Sequence, residues 1–326
     1  MDVLSDVLKT VRLTGAIFFE RHLHAPWVGE SPPSAEISSM VMPDAEHVIS
    51  FHAILSGSCW AGLAGSSASS RRFSAGDIVL YPMGDANVLS SAPGMRGLPD
   101  LQEYARPKDR PLPIVTHLDN NSADYCHLVC GYFGCDARPF NPLLEALPPM
   151  LLSQMPATAQ SWLSNMLRLA AEEAGRGGAG SESLLARLAE LMFVEVLRQY
   201  ISSLPDNSKG WLSGLKHRHV GYALRLIHGR PEKPWTLAQL AREVGLSRSV
   251  LADRFAHYVG VSPMHYLARW RMQLAIRRLT TPGVSVAQVG AEVGYESEAA
   301  FNRAFKKYVG VPPGSWRRGK SSPALE

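Results

Sequence analysis

Glu20, His22 and His24 alternate along the chain. In a strand every second side chain points to one face, so all three would share a face. A carboxylate beside imidazoles is a ligand set for a divalent transition metal, and His52, His117, His127 or Cys126 can complete it. The same pattern also suits a plain polar strand face. Thiols offer a second chemistry, at Cys59, Cys126, Cys130 and Cys135. Cys126 and Cys130, on one strand, would lie about 13 Å apart, too far to bridge. Cys135, beyond Gly134, can fold back towards Cys130. Cys126, Cys130 and Cys135 are therefore candidate redox sensors, against the alternative of buried, inert thiols. No catalytic residue is assigned.

A third set of side chains suits duplex DNA. Arg303 can be bidentate to guanine and Asn302 can pair with adenine, while Lys306, Lys307, Arg317 and Arg318 suit phosphates. Arg248, Ser249, Ala252, Asp253 and Glu298 complete the outward-facing set. Val250, Leu251, Phe255 and Tyr258 are expected to anchor the first helix, and Phe301, Ala304, Phe305 and Tyr308 the second.

These residues sit in a repeat. Glu243-Val244-Gly245 recurs 49 positions later as Glu292-Val293-Gly294. Phe255-x-x-Tyr258-Val259-Gly260-Val261-x-Pro263 recurs 50 positions later, from Phe305 to Pro313. A repeated helix, Gly turn and helix is the sign of two DNA-reading heads. Thr236 caps Leu237 to Val244, and Ser247 caps a helix to Tyr258. Pro263 starts a long helix ended by Pro282-Gly283. Ser285 caps Val286 to Val293, and Ser297 caps a helix to Tyr308. The long helix, about 25 Å, suits heads in successive major grooves, with the DNA bent or one contact loose. Charge agrees. Lys216 to Arg318 holds 17 Lys and Arg against 6 Asp and Glu; the rest holds 16 against 23. A basic module on an acidic body implies a polyanion at one end only.

The front half reads differently. Val48 to Leu55 and Asp77 to Tyr81 are short, β-branched and aromatic runs, bounded by Gly, Pro and Ser. Residues 65–70 read as a hairpin loop, and Pro99 to Pro113 as a long surface loop. Two helices follow. Ala157 to Ala174 stripes Trp162, Leu163, Met166, Leu167 and Ala170. Ser181 onward stripes Leu184, Leu185, Leu188, Leu191, Met192 and Leu197. The second stripe is wide enough for a partner helix, so a homodimer is expected. His219 to His228 is a further helix. The chain shows no membrane span and no secretion signal at its acidic start, so a cytoplasmic protein is expected.

Gly294-Tyr295-Glu296-Ser297, Phe301-x-Arg303-x-Phe305-Lys306 and Gly310-Val311-Pro312-Pro313-x-x-Trp316-Arg317 resemble the most diagnostic stretch of the AraC/XylS family of transcription regulators. That resemblance implies base-facing positions at Ser249, Ala252 and Asp253, and at Glu298, Asn302 and Arg303. Asp253 stands where relatives often carry a basic residue. Phe51-His52-x-Ile54-Leu55-x-Gly57-x-Cys59-Trp60 and Ser74 to Ala86 resemble the cupin-type sensor domain that precedes such modules. Enzymatic cupins place a His ligand soon after a Pro-x-Gly turn. Here Pro82-x-Gly84-Asp85-Ala86 is followed by Asn87, a poor metal ligand.

The expected architecture is α+β. A cupin-like β-barrel with a helical pair spans 1–201, a linker 202–214, and an all-α double helix-turn-helix domain 215–319. The expected function is sequence-specific regulation of transcription in response to a small molecule or chemical stress. No cofactor is expected beyond a small-molecule effector. Operator DNA is the expected partner, with RNA polymerase a second if the regulator is an activator. Alternatives are a cupin metalloenzyme tethered to DNA, an architectural DNA binder, or a thiol or metal sensor form of the regulator.

Overall fold

The computed structural model describes residues 2–66, 70–106, 112–154, 162–176, 178–205 and 208–321. Parts of the expected 65–70 and 99–113 loops, the start of the 157–174 helix and part of the linker fall outside them. The chain forms two compact units. One is Leu13–Asp136 with Leu147–Ser203; the other joins the chain up to Arg12, Ala137–Ala146 and the chain from Leu204. The first helix, α1 (Val3–Thr10), belongs to the second unit.

The first unit is a curled sheet, a half-barrel. Its strands are β1 (Thr14–His24), β2 (Val28–Ser31), β3 (His47–Leu63), β4 (Arg71–Ser74), β5 (Ile78–Tyr81), β6 (Asn87–Ser90), β7 (Ile114–Leu118), β8 (Tyr125–Cys135) and β9 (Leu151–Ser153). The order is β2-β6-β3-β8-β1-β7, with β4 and β5 also on β3, and β9 on β5. Strand β3 makes the curl. Its first part pairs with β8 and β5, its last part with β4 and β6. A register shift between Ile54 and Ser56 marks the bend. Its core gathers Phe18, Phe19, Trp27, Leu89, Leu128 and Tyr132.

Three helices accompany the sheet: α2 (Ser34–Val41), α3 (Trp162–Arg176) and α4 (Ser181–Ser203). The inner face of α4 buries Leu185, Ala189, Met192, Phe193 and Val196, with Phe193 4.8 Å from Phe133 on β8. The broad stripe read from the sequence divides here. Leu184 and Leu191 are about half exposed. Trp162, expected on the buried stripe of α3, is 55% exposed. Its neighbour Leu163 is fully buried, so the buried stripe of α3 runs through Leu163 and not Trp162.

The helical unit contains α5 (Trp211–Lys216), α6 (Arg218–Gly229), α7 (Leu237–Glu243), α8 (Arg248–Val259), α9 (Pro263–Leu279), α10 (Val286–Glu292), α11 (Glu298–Val309) and α12 (Pro313–Ser321). Helix α5 occupies part of the stretch that reads as linker. Its Gly, Ser and Lys content hides two buried anchors, Trp211 and Leu212. The Trp211 Nε1–H donates to the Tyr266 hydroxyl at 2.9 Å. Tyr266 in turn lies 2.8 Å from His228 Nε2, and His228 Nδ1 lies 2.7 Å from Asp6 of α1. A buried polar chain therefore fixes α1 and α5 to the core, every polar atom in it satisfied. Burial lowers the His228 pKa, partly offset by Asp6.

Candidate DNA-binding surface and sensor cavity

The two repeats fold into the same local form. Helix α7 begins with a capping box, Thr236 and Gln239 each accepting from the other's backbone N–H. Ser285 caps α10, while Ser247 and Ser297 cap α8 and α11. Gly245 (φ 72°) and Gly294 (φ 87°) make the intervening turns in the left-handed region. At each turn a backbone bond spans the corner, Leu246 N–H to Ala241 O and Tyr295 N–H to Gly290 O, both 2.9 Å. The repeat is thus a repeat of turn chemistry and caps, each cap contributing about 1 kcal/mol.

Five of the expected anchors are buried, Ala304 and Tyr308 are half-buried against them, and Val250 is exposed. Leu251, Phe255 and Tyr258 hold α8 inward; Phe301 and Phe305 hold α11. Phe255 meets Tyr266, and Phe305 meets Trp316. Val250 sits about 100° around the helix from Leu251, and on α8 that direction meets solvent. Outward, Arg248, Ser249 and Asp253 are exposed and Ala252 is half-buried on α8. Glu298, Arg303, Lys306 and Lys307 are exposed on α11, with Asn302 half-buried. Glu298, Asn302, Arg303 and Lys306 line one shallow open groove with Val286 and Pro312. Arg254, absent from the expected set, is also exposed on α8; its place between polar Asp253 and anchoring Phe255 gave no signal.

Around the second turn the copies differ. Arg271 of α9 donates from Nε to Pro231 O at 2.7 Å and from Nη2 to Lys233 O at 2.8 Å. That clamp brings the Glu232 carbonyl against Gly294, where a Cβ would sit 2.3 Å from the oxygen. At Gly245 a Cβ would meet nothing within 4 Å. Arg278 of α9 is bidentate to Glu292 of α10, at 2.6 and 3.0 Å.

In the half-barrel, a cavity of about 450 Å³ is lined by Phe19, Arg21, Trp27, His52, Leu89 and Tyr132, among others. Arg21 pairs with Glu103 at 2.8 Å and lies over the Phe19 ring. His52 and Asn87 define a fixed polar point. The Asn87 Nδ2 donates to Ser50 Oγ and to Asp85 O, so its Oδ1 faces His52 and accepts from Nε2–H at 2.9 Å. His52 Nδ1 is then a lone-pair acceptor, buried with no partner among the described residues. Burial pushes the His52 pKa down to about 4, so the ring is neutral at physiological pH. An imidazole and a carboxamide already bonded to each other do not fit a redox or Lewis-acid metal at this interior position.

The alternating set on β1 resolves differently from its sequence pattern. Glu20 and His22 share the convex face, opposite the cavity-lining Arg21. His24, at the strand end, is held by Ser122 O at 2.7 Å and tilts against Tyr125. His52 lies on the cavity side. Neither joins Glu20. His127 of β8 does, pairing in register with His22 and placing Nε2 2.8 Å from Glu20 Oε1. The His127 hydrogen bond chiefly holds the Glu20 pKa below the usual carboxylate range. Burial lowers that of His22.

All four cysteines are buried, and none is in a disulfide. Cys135 does not fold back, because β8 runs unbroken from Tyr125 to Cys135 and holds Cys130 and Cys135 along one strand. Cys126 instead meets Cys59 of β3, a hydrogen bond that together with burial raises the Cys59 pKa. Burial pushes Cys130 up to about 12. A thiol that is buried and protonated at neutral pH is a poor nucleophile, which counts against Cys130 as a redox sensor.

A family model described as a cupin matches residues 2–202, and one described as a helix-turn-helix domain matches residues 240–319. The chain is 30% identical to the HTH-type transcriptional regulator AlkR of Acinetobacter baylyi, covering 98% of this chain and 99% of that one. It is also 30% identical to a putative AraC-like transcription regulator of Streptomyces lividans, over 99% of this chain and 100% of the other. Among solved structures, a DNA-binding transcriptional dual regulator from Escherichia coli K-12 is 26% identical, with a TM-score of 0.29, over 32% of this chain and 93% of that one. No helix among the described residues is long and apolar enough to cross a membrane.

Proposed function

This chain belongs to the AraC family of DNA-binding transcription regulators, with a cupin-type front domain, and from that premise we propose that it is an effector-responsive regulator whose two heads read different bases. The reading places Ser249, Ala252 and Asp253 against one half of a site, and Glu298, Asn302 and Arg303 against the other. Arg248, Lys306 and Lys307 hold phosphates. Because the two base-facing sets differ, each subunit reads a directional, non-palindromic half-site. The exposed Leu184 and Leu191, seven residues apart on α4, suit a second copy of this helix, giving a homodimer. Bound beside a promoter in the cytoplasm, such a dimer would meet RNA polymerase if it activates.

The observation that carries the effector reading is His52 Nδ1. A buried acceptor without a donor costs about 1–3 kcal/mol. A small molecule bringing a hydroxyl or amine N–H to that atom, with an apolar body against Phe19, Trp27 and Leu89, removes the deficit. A cavity of this volume suits such a ligand. Binding there shifts transcription only if the ligand prefers one state of the protein over another. The test has two stages. Sequencing duplexes retained by the purified protein should yield an asymmetric motif; equal retention of all sequences sinks the DNA reading. A reporter driven by that motif should then lose its response in His52→Leu, with DNA affinity unchanged. An intact response refutes the cavity as the sensor.

A further inference from the structure

Three histidines lie side by side across three strands of the half-barrel. His22 of β1 is in register with His117 of β7 on one side and His127 of β8 on the other. Their rings stack, His22 to His117 at 4.6 Å and His22 to His127 at 4.0 Å between centroids. Under the inner pair sits Glu20, a buried carboxylate whose Oε1 is 2.8 Å from His127 Nε2 and 3.4 Å from His22 Nε2. The three ligand atoms lie within 4.8 Å of one another. We propose that Glu20, His22 and His127 form a binding site for a late first-row divalent cation, such as zinc, on the convex face of the sheet.

Four observations support the site. First, the spacing fits. Ligand atoms about 2.05 Å from a tetrahedral zinc stand about 3.3 Å apart. The His22 to Glu20 distance already matches, and the His127 to Glu20 distance must open by about half an ångström. Second, the donor set of two imidazoles and one carboxylate suits zinc, copper or nickel over calcium or magnesium. Third, His22 has an outer partner. Its Nδ1 lies 2.7 Å from the Tyr125 hydroxyl, which fixes the ring with Nε2 aimed at Glu20. Metal-binding histidines are held in this way by a hydrogen bond at the second nitrogen. Fourth, an ion can reach it. Helix α4 packs near the beginning of β1, where Gly15 lies against Ala186 and Ala189. The cluster lies at the other end, with His22 26% and His127 16% exposed at the side chain, and His117 exposed.

Three protein ligands leave a fourth position facing solvent, for water or for His117 after a ring rotation. That is an open site, unlike the closed four-ligand sites that only hold a fold together. Its three ligands lie outside the cavity lining, since neighbouring residues on β1 point to opposite faces, Arg21 into the cavity and Glu20 and His22 away from it, while His117 borders both.

The full-length protein, stripped with a chelator, is dialysed against zinc and separately against cobalt, then analysed for metal. The expected result is one ion per chain, with cobalt giving the visible absorption of a four-coordinate site. Tyr125→Phe should weaken zinc binding about 10–100-fold through loss of the outer hydrogen bond. Glu20→Gln and His22→Gln should weaken it at least as much. His24→Gln, outside the cluster, should bind as wild type. If Glu20→Gln fails to fold by circular dichroism, the partly exposed His22→Gln and Tyr125→Phe decide the matter. Wild-type protein without a stoichiometric ion, or His22→Gln and Tyr125→Phe binding as tightly as wild type, overturns the proposal.

Discussion

The two turn glycines look interchangeable in the repeat, yet their replacement by alanine should have unequal effects. At Gly245 the only cost is the left-handed backbone, about 1–2 kcal/mol for a residue with a Cβ. Nothing lies within 4 Å of the added atom. At Gly294 the same strain applies, and the new Cβ falls 2.3 Å from Glu232 O and 2.7 Å from Arg271 Nη2. The carbonyl is backbone and cannot rotate aside. Arg271 is tied to Pro231 and Lys233, so relief means lengthening those bonds. Overpacking of this kind adds about 1–3 kcal/mol. Gly294→Ala should therefore lose about 2–5 kcal/mol in all. Hydrogen exchange reads each loss in the helical unit alone, from peptides of α9 and α11. Protection should fall about 5–30-fold in Gly245→Ala and about 30–5,000-fold in Gly294→Ala. Equal losses, or a larger loss at Gly245, would refute the argument that the Arg271 clamp presses the Glu232 carbonyl against the second turn.

Arg303→Ala should cost about 1–3 kcal/mol on the selected site and relax discrimination at one base pair, while Lys307→Ala should weaken all duplexes alike and lower the salt slope by about 1; anisotropy titrations at several salt concentrations separate the two, and an unchanged preference in Arg303→Ala removes it from readout. Leu184→Glu with Leu191→Glu should leave a monomer by light scattering, because charges at half-exposed positions are tolerated in one chain and not between two; a persisting dimer locates the interface elsewhere. Below about pH 6.5 the unfolded chain protonates His52 while the folded chain, with a pKa of about 4, does not. The stability from that neutral, buried ring is whole above pH 6.5 and is lost as pH falls towards 4, about 3 kcal/mol in total. Urea midpoints of wild type should fall more steeply over that window than those of His52→Gln, and parallel profiles would contradict the burial argument.

Most of the helical unit is legible in the chain because its information is local. A serine or threonine three residues before the N–H it accepts from, a glycine at a positive φ and a proline at the first turn of α9 each act within a few residues. The expected helices therefore match to within a residue or so, and Phe255, Phe301 and Phe305 are buried as their spacing requires. Local logic has limits. Val250, beside the buried Leu251, turns to solvent, and the polar composition of 202–214 concealed the buried Trp211 and Leu212.

What the sequence by itself determined is the pair of heads, their caps and turns, and the residues that differ between them. The tertiary structure decided which distant side chains meet. Alternation put Glu20 and His22 on one face, but His24 diverged at the strand end, and His127 arrived from a strand more than a hundred residues away. Cys126 met Cys59 rather than Cys130 or Cys135. Gly294 acquired a neighbour that Gly245 lacks. Each is a matter of strand pairing or helix packing, long-range choices set by the whole core, and no spacing along the chain encodes them.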